Sequence, residues 1–167
     1  MTKLSTAIFA DIQNLYYTTR EAYSANFDYN RFWADVSAQH DIVSAHAYAI
    51  DRGDEKQRQF QNILRAIGFD VKLKPFIQRS DGSSKGDWDV GITIDVIHAA
   101  QEVEHIILMS GDGDFTILVE TLKERYNLPV TVYAVPQLTA TSLMRSASNF
   151  VAIEEPLLLN YQPSFNR

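Results

Sequence analysis

A doubly wound α/β sandwich follows from three features of the chain. Short apolar stretches rich in β-branched residues alternate with amphipathic stretches of helical length, which implies βαβ units and a mostly parallel sheet. Those apolar stretches repeatedly run into an aspartate or a Ser-Gly pair, as strands do where they reach a loop-bearing rim. The 167 residues, 46% apolar and 22% charged, fill one domain and leave no room for a second. Right-handed crossovers then place helices on both faces of a sheet read as five to six strands.

Ala7–Ala10 reads as a short buried strand ending at Asp11, and residues 15–23 as a weak helix. Asp28 caps a clearer helix, with Tyr29, Phe32, Trp33 and Val36 at i, i+3, i+4 and i+7. Ile42–Ile50, rich in alanine and β-branched residues, is a second strand and ends at Asp51. The helix from about Asp54 carries Phe60, Ile63, Leu64 and Ile67 on one stripe and stops at Gly68. Val71–Ile77 is a third strand, and the polar segment Gln78–Lys85, with Asp81-Gly82-Ser83-Ser84, reads as a mobile loop. A helix from about Asp89 is expected to turn Val90, Thr93, Ile94 and Ile97 inward. Ile106–Met109 is the most apolar strand, and its helix, from near Asp114, carries Phe115, Leu118, Val119 and Leu122. Val130–Val135 is a fifth strand, and a short helix at about Thr139–Ala147 leads to a sixth, Phe150–Ile153. With the domain placed at residues 5–154, residues 155–167, which hold Pro156 and Pro163, read as a C-terminal tail.

No cysteine is present, which excludes disulfides, thiolate metal sites, CxxC redox chemistry and cysteine nucleophiles. The apolar stretch Leu4–Ala10 is broken by Ser5 and Thr6 and stopped by Asp11, too short for a secretory signal. No stretch approaches the ~20 apolar residues of a membrane span. A cytoplasmic protein with no membrane partner is the expectation. Fifteen Lys and Arg against twenty-one Asp and Glu leave a net charge of −6. Phosphate binding usually shows as a basic excess, but divalent ions cancel carboxylates two at a time. The positions of the acids therefore decide.

In doubly wound sheets ligands bind outside the carboxyl ends of the strands, where strand order reverses. Asp11 ends the first strand with Asn14 three residues on, Asp51-Arg52-Gly53-Asp54 follows the second, and Lys85-Gly86-Asp87-Trp88-Asp89 follows the third. Ser110-Gly111-Asp112-Gly113-Asp114 follows the fourth. Helix capping accounts for Asn14, Asp28, Asp54 or Asp87 taken alone, and structural pairing accounts for Asp95. Asp112 and Asp114 are different. One cap needs one side chain, and two like charges so close repel unless a cation or proton intervenes. The neighbouring glycines allow a sharp turn and leave room for a ligand. All-oxygen ligands point to Mg²⁺ or Mn²⁺, not zinc. GxxxxGK[ST], GxGxxG, GxSxG and HExxH are all missing, and His40, His46, His98 and His105 are scattered.

These motifs carry a resemblance. Asp11-Ile12-Gln13-Asn14 resembles the D-x-x-N opening of NYN domains, in the LabA-like branch of the PIN-like nuclease group. Lys85-Gly86-Asp87-Trp88-Asp89, followed by Asp95, resembles that branch's K-G-x-D segment with one extra residue. Asp87 and Asp89 therefore compete for one role, and the six-residue spacing to Asp95 favours Asp89. Ser110-Gly111-Asp112-Gly113-Asp114-Phe115 resembles the S-G-D-x-D-F signature, and Ser142 through Phe150 the closing segment. The resemblance implies a PIN-like, Rossmann-type fold and hydrolysis of RNA, expected to be single-stranded, by a carboxylate-held metal. Asp11, Asp89, Asp112 and Asp114 would be catalytic and would hold one or two Mg²⁺ or Mn²⁺ ions, with Asn14 ligating or orienting. Ser110 and Thr116 could bond a ligand carboxylate or phosphate, and Lys85, Arg79 and Arg52 the RNA backbone. Trp88, Tyr16 and Tyr17 could stack bases. A homodimer is compatible with this reading. The alternatives are a non-catalytic regulatory or RNA-binding module that keeps the acidic pocket, and a haloacid-dehalogenase-type phosphatase. The latter needs an aspartate where Gln13 stands.

Overall fold

The computed structural model describes residues 3–75, 77–78, 84–85 and 87–161. Its centre is a six-stranded sheet built from β1 (Ser5–Asp11), β3 (Asp41–Asp51), β4 (Asp70–Pro75), β7 (His105–Met109), β8 (Val130–Ala134) and β9 (Asn149–Ala152). Strand order is β4-β3-β1-β7-β8-β9, and every neighbouring pair is parallel. Two short antiparallel ladders flank it. One joins β2 (Asn26–Phe27) to β10 (Leu158–Leu159), and the other joins β5 (Ile77–Gln78) to β6 (Ser84–Lys85). The expected α/β sandwich with a mostly parallel sheet is the observed architecture.

Central and edge strands differ as burial on two faces or one requires. β7 and β8 are buried at every residue, while the edge strand β4 has no fully buried residue. The helices are α1 (Ile12–Tyr23), α2 (Tyr29–Gln39), α3 (Glu55–Ile67), α4 (Asp89–Ala99), α5 (Thr116–Arg125) and α6 (Thr141–Ser146). Ile8 and Ala10 of β1 pack with Leu15, Phe32 and Leu64, so α1–α3 cover one face. Ala7 and Phe9 pack with Ile92, Leu118 and Leu143, so α4–α6 cover the other. The first crossovers thus wind on one side and the later ones on the opposite side, which makes the boundary between β1 and β7 the switch point. Among the described residues no helix is long and apolar enough to cross a membrane.

Four expectations need correcting. α1 starts at Ile12, directly after Asp11, because the Asp11 carboxylate accepts the Asn14 amide and caps it. The third strand ends at Pro75, which lacks the N–H a longer ladder would need. Gln78 and Ser84–Lys85 form a ladder where a loop was expected, and residues 79–83 of that loop lie outside the described residues. Finally, α4 is rotated from its expected orientation. Val90 and Ile94 are 71% and 50% exposed, while Ile92 and Val96 are fully buried. Trp88 explains this, since its indole N–H donates to the Ala49 carbonyl at 2.9 Å and its ring packs 5.3 Å from that of Tyr48. Trp88, Ile92 and Val96 at i, i+4 and i+8 then form the inner stripe.

The chain beyond residue 154, read from sequence as a tail, docks through its first residues. A 3-10 turn at Glu155–Leu157 leads into β10, and Leu157 and Leu158 are buried. Leu157→Ala is expected to destabilise the fold by about 2–3 kcal/mol, measured as a lowered urea midpoint. An unchanged midpoint would mean that this segment contributes nothing to the core.

Candidate active site

β1 and β7 deliver their side chains to one rim. Asp11 ends β1, and one of its carboxylate oxygens accepts the Asn14 amide at 3.3 Å. The other accepts the hydroxyl of fully buried Ser110 at 3.1 Å. Ser110 Oγ in turn accepts the Asp112 amide at 3.2 Å, and Asn14 Oδ1 accepts the Gly111 amide at 3.0 Å. The start of α1 and the loop after β7 are therefore stitched together by side chains. Asp112 Oδ1 accepts the Asp114 amide at 2.9 Å and opens the 3-10 turn Gly113–Phe115.

Asp89, the first residue of α4, completes the site from the opposite wall. Asp89, Asp112 and Asp114 each present a carboxylate oxygen, and the three oxygens lie within 4.8 Å of one another. Asp11 is not one of that trio; its oxygens accept from Asn14 and Ser110, and its charge is felt at Asp89. Burial, then the charges of Asp112, Asp87 and Asp11, raise the Asp89 carboxyl to about 7. Burial also raises Asp11 to about 6, against hydrogen bonds from Asn14 and Ser110 that favour its charged form. Such crowding is relieved by a proton or a cation. The donor set, all carboxylate oxygen and close-spaced, fits Mg²⁺ or Mn²⁺.

Asp89, not Asp87, brings its oxygen into the trio. Asp87 is exposed and accepts the Asp89 amide at 3.2 Å. The glycines also meet a packing demand that the sequence did not show. Neither Gly111 nor Gly113 has a positive φ. A Cβ on Gly111 would lie 2.7 Å from Thr139 Oγ1 and 3.3 Å from the Leu138 carbonyl, and one on Gly113 would lie 2.8 Å from Ala140 Cβ. Their bareness lets the acidic loop press against residues 138–140, and the Ala140 amide donates to the Gly111 carbonyl there. Gly111→Ala is expected to cost about 1–3 kcal/mol of stability through overpacking. Calorimetry showing no loss would mean that residues 138–140 yield freely.

The other rim residues divide by partner. Arg52 directs Nη2 toward the Tyr17 hydroxyl at 3.5 Å. Thr116 shares a 3.0 Å hydrogen bond with Ser142, which links α5 to α6. The backbone of Lys85 lies in β6, and Arg79 is outside the described residues. Asp51 accepts the Gly53 amide and Asp54 caps α3 through the Gln57 amide. Asp95 accepts from Tyr48 and Lys72, both at 2.7 Å, which is structural pairing. His105 is buried between Thr6 and Thr131, and burial and the nearby His40 hold its pKa down to about 4. Sequence reasoning missed Lys74, whose ammonium donates to the Asp87 carbonyl at 2.9 Å and lies 4.8 Å over the Trp88 ring. The alternation Lys72-Leu73-Lys74 on a strand was the available signal.

Three comparisons bear on this site. The NYN domain model matches residues 5–154. The low amplitude and bright protein LabA of Synechococcus elongatus is 27% identical over 158 residues, 89% of this chain and 83% of that protein. The crystal structure of a Vibrio parahaemolyticus protein of unknown function is 58% identical, has a TM-score of 0.89, and is matched over 94% of this chain and 97% of that one.

Proposed function

This chain belongs to the NYN domain family, and on that premise we propose that it is a metal-dependent ribonuclease that hydrolyses phosphodiester bonds of single-stranded RNA. The observation that carries the reading is the Asp89–Asp112–Asp114 trio at the switch point. Those three would hold Mg²⁺ or Mn²⁺, with Asp11 and Asn14 beside them. Held by these residues, an ion would supply a lowered pKa for bound water and positive charge against the phosphoryl oxygens. The chain's own residues do the positioning. Ser110 fixes the Asp11 carboxylate by a hydrogen bond and holds the loop amide of Asp112, so both acidic elements keep one geometry. Arg52, which follows β3, is assigned to the RNA backbone together with Lys85 and Arg79, the two cations between the third strand and the fourth helix of the sequence. Thr116, tied to Ser142, would steady the loop from behind. Among the described residues the rim offers no histidine base, and water, not the ribose 2′-hydroxyl, is the nucleophile.

The test is cleavage of single-stranded RNA in Mn²⁺ or Mg²⁺. Products with 5′-phosphate and 3′-hydroxyl ends are expected, and a 2′-deoxy substitution at the cleaved position should not block chemistry. Cyclic 2′,3′-phosphate ends would rule the mechanism out. RNA that is bound but never cut in either metal would assign the pocket to a non-catalytic RNA-binding module.

A further inference from the structure

Tyr16 and Tyr17 are 53% and 51% exposed, whereas Tyr29, Tyr48 and Tyr133 are 8%, 0% and 9% exposed. Neither belongs to a core cluster, because α1 buries Ile12, Leu15 and Thr19 instead. Their rings meet edge to face with centroids 5.4 Å apart. Burying two such rings would be favourable, so leaving them exposed needs a reason. Their position supplies one. α1 begins one residue after Asp11, and Tyr17 follows Asn14 by three residues on the same helix surface. Six residues from Asp11 to Tyr17 span about 9 Å of helix axis. Cations stand beside them in a chain whose net charge is −6: Arg52 reaches the Tyr17 hydroxyl at 3.5 Å, and Arg20 is exposed one turn on. Trp88, beside Asp89, is spent on Ala49 and Tyr48.

We propose that Tyr16 and Tyr17 form a stacking platform for bases of the RNA strand that crosses the carboxylate trio, with Arg52 and Arg20 meeting its phosphates. The proposal rests on the ribonuclease reading and adds to it the residues that hold the single strand. Aromatic faces stack on any base, so the platform selects unpaired nucleotides rather than a sequence. It explains how an acidic protein keeps hold of a polyanion beside its own carboxylates.

Fluorescence anisotropy in Ca²⁺ with two probes tests this, a short labelled oligouridylate and an abasic ribose-phosphate chain of equal length. Tyr16→Ala/Tyr17→Ala is expected to weaken oligouridylate binding roughly five- to hundredfold. Abasic-chain affinity and the salt slope should stay unchanged, since no charge is removed. Tyr16→Phe/Tyr17→Phe should restore wild-type affinity within about twofold, and both variants should melt with the wild type because the rings are exposed. Equal losses on both probes, no loss on either, or a wild type that treats the probes alike would overturn the platform and leave the face to a protein partner. A wild type that prefers oligouridylate through these tyrosines yet cuts no RNA would keep the platform and remove the ribonuclease.

Discussion

Asp11→Asn and Asp112→Asn are each expected to reduce RNA cleavage about 10³-fold or more, with the double variant scarcely worse than either. The reason is geometric. Asp112 supplies one oxygen of the trio, and Asp11 is bound through Ser110 to the same loop. Removing either charge disables one unit, and a unit can be disabled only once. Folding should survive, because asparagine keeps the carbonyl oxygen that accepts the Asn14 or Asp114 amide. Asp54→Asn is the matched control, a rim acid whose carboxylate only caps α3 through the Gln57 amide. It should cut at the wild-type rate. Single-turnover cleavage of a labelled single-stranded RNA reads the wild type and all four variants. Multiplying losses in the double variant would mean that Asp11 and Asp112 act independently, and equal loss from Asp54→Asn would mean that any rim acid matters.

What could be read from sequence follows from which forces act locally. Ala7–Ala10 of β1 and Ile106–Met109 of β7 are unbroken apolar runs because a central parallel strand is buried on both faces, so their existence and the rim where they end were both legible. Asp28 and Asp54 cap helices by bonding an amide three residues on, a relation contained within a few residues. The rotation of α4 was not legible. Val90, Ile92, Ile94, Val96 and Ile97 offer two apolar stripes, and the choice between them is made by Trp88 seating on Ala49 and Tyr48, about forty residues away in the chain. Gly111 was legible as a requirement but not as a cause, since the contact that forbids a Cβ comes from Thr139. The acids followed the same division. Motif spacing favoured Asp89 over Asp87, whereas the engagement of Asp11 with Ser110 depends on the pairing of β1 with β7. Leu157 and Leu158 read as tail because β2, their partner, is only two residues long and leaves no periodicity to detect.

The carboxylate cluster should make the metal-free protein lose stability as pH rises, and metal should reverse that loss. The folded-state carboxyl of Asp89 lies at about 7 and that of Asp11 at about 6, against an ordinary 3.8. Between these values the folded chain retains protons that the unfolded chain has released. Stability therefore falls as pH rises from about 4 to about 7, then levels off. His105 works in the opposite direction. Its folded value of about 4 against 6.5 makes the unfolded chain the better proton binder, so its contribution grows with pH up to about 6.5 and then stops. The decline is thus cleanest between about pH 6.5 and 8, where the opposing gain from His105 is complete and Asp89 supplies most of the change. Water around a half-buried Asp89 screens the repulsion, which sets its size at about 1–2 kcal/mol. Asp89→Asn in EDTA at pH 8 should therefore melt higher than the wild type by roughly 2–6 °C. The favourable charge it removes from the first turn of α4, worth about 0.5 kcal/mol, is too small to change the sign. Mn²⁺ at about a hundredfold excess over its Kd adds about 2.7 kcal/mol to the wild type, which should then overtake a variant that gains little. The order of melting temperatures inverts on adding one ion, an outcome that capping or packing roles for Asp89 do not produce. If Asp89→Asn melts below the wild type in EDTA, the acids are not in conflict. If Mn²⁺ leaves the wild type unmoved, the trio holds no such ion.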